Sequence, residues 1–240
     1  MSKNLKIFLG VSYLFILVYF LYLIFTAIEI NRLDDFTYYK EIQSDLETYI
    51  STNTITNLIY FFIFSVIWVT LLGFGSPILI ISGILFGQII GTLISVFSIS
   101  IGALILYSIG NFFFRDLVKS ILEKKFNRYI QLFKKNEFFY FFIYRFIGGL
   151  GVPFGLQNLI PILFGMKKTN YFFASFFGFI PGFFIINTIG AGLNNYISEA
   201  DNFSMIDFIF TPEIYLPIIM FSILMFFSII IKKKFFDDTN

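Results

Sequence analysis

Residues 138–166 read FFYFFIYRFIGGLGVPFGLQNLIPILFGM, and the fold turns on what such a run can be. It is 29 residues long, carries one charge, Arg145, and is flanked by Lys134 and Lys135 on one side and Lys167 and Lys168 on the other. A helix needs about 20 apolar residues to cross a bilayer, so the run is too long for one crossing and too short for two. Basic residues collect on the cytoplasmic side of a membrane, which places both of its ends inside. The stretch therefore reads as a re-entrant hairpin, dipping in and returning, with its bend at Gly148-Gly-Leu-Gly-Val-Pro153. Backbone broken by Gly and Pro is tolerated at membrane depth only where protein or a polar cavity shelters it. A pair of proline-kinked ordinary helices is the competing reading.

Working outward, Ile55–Phe114 is sixty residues without a charge. It joins an acidic segment, 29–54, to a basic one, 115–137, and these belong on opposite sides of the membrane. An odd number of crossings is needed. Three full spans barely fit, whereas a hairpin over 55–87 and one span over 88–113 fit well, with the bend at Gly73-Phe-Gly-Ser-Pro77.

The remaining apolar runs are Ile7–Ile28, Thr169–Tyr196 and Ile214–Ile231. The first is longer than the core of a signal peptide and no small-x-small site follows it, so it reads as a retained anchor. Fourteen of the seventeen bases then fall inside, in Lys3, Lys6, 115–137, Lys167–Lys168 and Lys232–Lys234, while ten of the fifteen acids fall outside, in 29–54 and 197–213. Within 115–137, Leu117, Ile121, Leu122, Phe126, Tyr129 and Phe133 share a helical face, so that segment is expected to lie along the inner leaflet against anionic lipid.

Composition agrees with a membrane protein. Hydrophobic residues make up 58% and charged ones 13%, against about 25% charge in soluble domains. Mean hydropathy is +0.83, and Phe alone accounts for 38 residues. There is no Cys and no His, which excludes disulfides, thiolate chemistry, Ser-His triads and most zinc or iron sites. No Asp lies in an apolar stretch, which excludes intramembrane proteolysis by paired aspartates. The chain is expected to be no enzyme and to carry no cofactor and no metal.

The two broken blocks repeat each other. Pro77 leads to Gly83-Ile-Leu-Phe-Gly87, and Pro153 leads to Pro161-Ile-Leu-Phe-Gly165; Ser108-Ile-Gly110 and Thr188-Ile-Gly190 follow at similar distances. Pro77, Gly83, Gly87, Pro153, Pro161 and Gly165 are the expected hairpin-break positions. The charges put the two units in opposite orientations, and paired broken segments in inverted halves point to a transport site near the bilayer midplane. The expected fold is an all-α polytopic membrane protein: an inverted repeat of re-entrant hairpin plus transmembrane helix, with flanking transmembrane helices. That makes four full crossings, two half-crossings and both termini inside. Residues 1–54 form an anchor and external loop. The membrane domain, 55–196, divides into hairpin 55–87, span 88–113, amphipathic segment 115–137, hairpin 138–166 and span 169–196. Residues 197–240 form an external loop, a last helix and a basic tail.

A guanidinium in lipid is costly and normally faces a cavity or partner, so Arg145 is the leading candidate for a binding residue. Eight residues after Glu137, it lies about 12 Å along a helix, and snorkelling to the surface is the alternative. Its expected task is to hold a phosphate or carboxylate. Gln157 and Asn158 either line the same cavity or cap backbone freed by the break. Ser76 and Ser82 are further candidates for substrate binding, followed by Gln88 and Asn187.

The series Arg145-Phe-Ile, Val152-Pro-Phe154, Asn158, Phe164-Gly165, Gly178-Phe-Ile-Pro-Gly182 and Ile189-Gly-Ala-Gly192 resembles the second half of the VTT domain, the SNARE-associated branch of the DedA superfamily. Pro77, Gly83, Phe86-Gly87, Gly91, Gly102, Tyr107 and Gly110 fit its first half, and the likeness covers roughly residues 60 to 195. The resemblance implies two facing re-entrant hairpins and movement of phospholipids or lipid-linked phosphates between leaflets. Two departures stand out. Gly148 occupies the place of a proline usual in the family, and no acid lies between Ile55 and Phe114, so proton-driven transport is not expected.

The functional expectation is a lipid scramblase or translocase of the cell (inner) membrane, in keeping with a bacterial cytoplasmic membrane. Its partners are membrane lipids with anionic or phosphate headgroups, with no nucleic acid. The alternatives are an ion- or solute-coupled secondary transporter and a non-transporting membrane organiser.

Overall fold

The computed structural model describes residues 3–27, 35–200, 202 and 204–232. The acidic positions Glu29 and Asp34 and the tail from 233 lie outside the described residues, as do the side chains of Lys3, Lys6, Lys232 and 117–129, which hold most of the expected inner-leaflet stripe. Among the described residues there is helix and no strand.

Helix α1 (Lys3–Ala27) is apolar on every side. Helix α2 (Phe36–Thr52) is capped by Asp35, whose side chain accepts from the Thr37 amide at 2.9 Å. Helix α3 (Thr54–Leu72) stops because Gly73 takes a left-handed conformation, φ 70°, and returns its N–H to the Val69 carbonyl. Only glycine adopts that cap without strain. Four residues on, Pro77 stands in the first turn of α4 (Ser76–Lys135), where its missing N–H costs nothing.

Helix α4 is continuous in its hydrogen bonding but not straight. Ser82 and Ser95 would stand about 20 Å apart on a straight helix, yet their hydroxyls are 2.7 Å apart. The chain doubles back at Gly87, φ 71°, so 76–86 runs antiparallel to the residues that follow. A second bend lies further on. Tyr107 donates to the Met166 carbonyl at 2.7 Å, and the Phe133 ring stacks on Phe164 at 4.1 Å. A straight helix would separate those two residues by about 39 Å. No break in the helix marks the expected boundary between the span 88–113 and the amphipathic segment 115–137.

Helix α5 (Glu137–Phe146) is followed by a single 3-10 turn, Gly148–Gly151, then by α6 (Phe154–Leu159) and α7 (Pro161–Phe164). Gly165, φ 61°, ends this return limb as Gly87 ends the first. The limbs close on each other at the base: the Glu137 carboxylate accepts from the Lys167 amide at 3.2 Å and from the Asn170 side-chain amide at 2.6 Å. Helix α8 (Lys168–Glu199) packs along residues 88–116, with Tyr107 stacked on Tyr171 and Phe97 against Phe176. Small residues on both, Ser95, Ser98 and Ala103 on one and Ala174 and Ser175 on the other, are buried and let the backbones approach, while Gly178 brings α8 close to α5. Helices α9 (Met205–Phe210) and α10 (Pro212–Lys232) complete the chain.

The matched glycines of the repeat act at equivalent places. A Cβ on Gly190 would lie 2.3 Å from the Ile80 carbonyl oxygen, and one on Gly110 would lie 2.4 Å from Leu159. Each return limb thus packs against the long helix of the other unit. The hairpin tips themselves meet where Gly73 abuts Gly155.

Four described helices contain stretches long and apolar enough to cross a membrane: Ile7–Ile24, Thr54–Leu72, Ser76–Asp116 and Lys168–Glu199. Three of these carry expected crossings. The fourth is α3, expected as one limb of a hairpin; α10, where the last crossing is expected, is a helix of 21 residues.

Candidate functional site

Arg145 stands in the last turn of α5, and the glycines beyond it turn the chain back towards it. Gly148 and Gly149 both take positive φ, 73° and 71°, which forms the 3-10 turn. Val152 is extended, as the residue before Pro153 prefers to be, and α6 then runs back beside α5. Gln157 and Asn158 return to Arg145 as a result. The guanidinium donates from Nη1 to Gln157 Oε1 at 3.0 Å and from Nη2 to Asn158 Oδ1 and to the Tyr171 hydroxyl, the latter at 3.0 Å. Gln157 spends its own amide on the tip, donating to the Val152 carbonyl at 2.6 Å. It therefore does both jobs that the sequence left open.

Arg145 is 2% exposed, so it does not snorkel to the surface. Its charge sits among aromatic rings: the guanidinium carbon is 4.7 Å from the centroid of Phe141, 4.8 Å from Phe179, 5.4 Å from Phe154 and 5.7 Å from Tyr171. Ring faces attract a cation but do not neutralise it. Among the described residues no carboxylate pairs with it, and its Nε has no hydrogen-bond partner. Three of its five N–H donors are engaged; Nε is sealed by the surrounding side chains, and one N–H of Nη1 remains for a further acceptor. Close packing holds the side chain in place, since a Cβ on Gly178 would come within 2.5 Å of the Arg145 Cβ.

A cavity of about 580 Å³ opens beside the guanidinium. Gly75, Ser76 and Leu79 from the first hairpin, Arg145, Gly148, Phe154 and Gln157 from the second, and residues of α8 and α10 line it. Gly182 lies on its wall with nothing within 4 Å of where a Cβ would be.

The structure brings Arg145, Gln157 and Asn158 together and sets Ser76 on the same cavity. It places Ser82 elsewhere, donating to Asn187 at 2.5 Å in the packing of the first hairpin on α8. Gln88 is exposed at the reversal. Of the break positions, Gly87 and Gly165 turn the chain, while Pro77, Pro153 and Pro161 open short helical limbs. Gly83 serves packing rather than a bend: a Cβ there would lie 2.2 Å from the Asn187 carbonyl oxygen. Sequence reading missed Tyr171 and the rings of Phe141, Phe154 and Phe179. With 38 Phe in the chain, no single one stands out.

The family model of the VTT domain matches residues 69–192, a little over half of the chain, and takes in the end of α3, the tip and return limb of the first hairpin, the whole second hairpin with Arg145, and α8 up to Gly192. No curated protein matches the chain, and no solved structure does.

Proposed function

This chain belongs to the VTT domain family, the DedA and SNARE-associated group of membrane proteins, and from that membership we propose that it moves phospholipid or lipid-linked phosphate between leaflets. The observation that carries this reading is Arg145, a buried cation with no carboxylate beside it among the described residues, lining a cavity where two hairpin tips meet. An uncompensated charge at such depth is expensive unless something anionic comes to it. A phosphate headgroup has the right charge and can take donors from one planar guanidinium.

Depth supports the same reading. Gly75 lies against Ile99, close to the centre of the apolar span 88–113, and Phe154 lies against Phe179, near the middle of α8. The Tyr13 hydroxyl, in the interior of α1, reaches the last carbonyls of α3 at Thr70 and Leu71. Both tips thus stand level with the middles of crossing helices, as in two half-crossings that meet at the midplane. With the bases inside, the first hairpin enters from outside and the second from the cytoplasm. A headgroup would pass between them by way of Arg145 while its chains stay in lipid. In this role the protein performs no covalent chemistry.

The test is a fluorescent-lipid assay in proteoliposomes made from the purified chain. Loss of the protected inner-leaflet signal faster than in protein-free vesicles supports the proposal; equal rates contradict it.

A further inference from the structure

A second cavity of about 660 Å³ lies beside the first. Ile180, Pro181, Phe184 and Ile185 of α8 face Met220, Ile223 and Phe227 of α10 across it, and it shares Phe146 and Leu224 with the Arg145 cavity as a common wall. No charged or hydrogen-bonding side chain lines it. Its α10 side, from Met220 to Phe227, is about 10 Å long. Several of its residues are largely exposed: Ile180 at 41%, Met220 at 46%, Ile223 at 52% and Phe227 at 55%.

We infer that this groove holds an acyl or prenyl chain of the same lipid whose phosphate sits at Arg145. The inference rests on the lipid-moving reading above and adds where the chain goes. Three observations favour a lipid chain as occupant. The groove is wholly apolar, it adjoins a cationic pocket across two shared side chains, and its α8 and α10 residues are largely exposed, so that it is open to the surroundings of the helices. A free phosphate ion would have no use for it. A partner helix would need small residues for close approach, and the groove presents bulky ones. Headgroup and chain are thereby bound on opposite sides of Phe146 and Leu224, which makes the two cavities one amphipathic site.

Quenching by brominated lipids tests this with the full chain. Trp68 is its one tryptophan, so Trp68→Phe combined with Ile223→Trp places the sole indole in the groove. Vesicles carry, at equal mole fraction, either a chain-brominated lipid with a phosphate monoester headgroup or a chain-brominated neutral lipid. The anionic lipid is expected to quench about fivefold more effectively, the factor that one guanidinium contributes to an anionic lipid contact. That preference should fall with Gly182→Leu, which narrows the headgroup cavity and leaves Arg145 in place. The original Trp68, away from the groove, should show no preference. Equal quenching by the two lipids means ordinary boundary lipid and overturns the inference, as does no quenching by either. Binding is read here without transport, so a failure of lipid movement in the scrambling assay leaves this result standing, and the reverse.

Discussion

The backbones of Gly73 and Gly155 touch: the Gly73 carbonyl oxygen lies 3.0 Å from where a Cβ on Gly155 would stand. One glycine ends α3 and the other opens α6, so the contact joins the tips of the two hairpins. A side chain there has to push the tips apart. Gly155→Leu should therefore destabilise the protein by about 1–3 kcal/mol, the usual range for overpacking. Thermal unfolding in detergent reads this as a lower midpoint. Gly10→Leu, with open space around its Cβ position, is the control and should leave the midpoint unchanged.

Arg145 depends on Tyr171 to hold Nη2, and that hydroxyl also lies 3.1 Å from Asn158 Oδ1 and 3.2 Å from the Ala103 carbonyl. Tyr171→Phe removes these bonds and keeps the ring, so it should cost about 1 kcal/mol of stability. The same unfolding measurement checks it, and an unchanged midpoint would mean that the hydroxyl cluster contributes nothing.

Charge and shape at Arg145 can be separated. Arg145→Lys keeps the cation but replaces a planar fork with a point charge that cannot hold Gln157, Asn158 and Tyr171 in one plane. Lipid movement should fall about tenfold, the equivalent of 1.4 kcal/mol. Full retention of the rate would mean that charge suffices and the fork does not matter.

Because the chain has no Cys, single-cysteine variants need no prior removal of native thiols. Spin labels attached to Ser76→Cys and Pro153→Cys should both report depths in the central third of the hydrocarbon core, which is roughly 30 Å thick. A label at Lys167→Cys, at the base of the second hairpin, should sit at the interface. Interfacial depth at either tip would replace the half-crossings with another topology.

The tips and the arginine were legible in the sequence for one reason: each breaks an otherwise uniform apolar run. Gly, Pro and a lone charge contrast with Phe and Ile, so the bends at 73–77 and 148–153 and the trio Arg145, Gln157 and Asn158 could be picked out. The matched glycines 110 and 190 were visible as a repeat, although their exchange of partners between units was not, because packing across units leaves no local signal. Gly87 was marked as a break by its match with Gly165 in the repeat, and the chain does reverse there although helical hydrogen bonding runs on through it. The aromatic surround of Arg145 escaped for the opposite reason to its charge: among so many rings, four more carry no contrast. Ser82 was read as a site residue because it is polar in an apolar run, yet its hydroxyl is spent on Ser95 and Asn187. In a membrane interior a small hydroxyl serves helix packing as readily as ligand binding.

The central claim is that lipid passes through the cavity beside Arg145, and Gly182→Leu tests it most directly. The substitution adds bulk to the cavity wall at a point where a Cβ meets nothing, and it removes no residue that binds or folds. Scrambling rates are compared with wild type at equal protein per vesicle, after both proteins give the same unfolding midpoint. A fall of about tenfold or more is the predicted result. A wild-type rate from a folded, blocked protein would contradict the account.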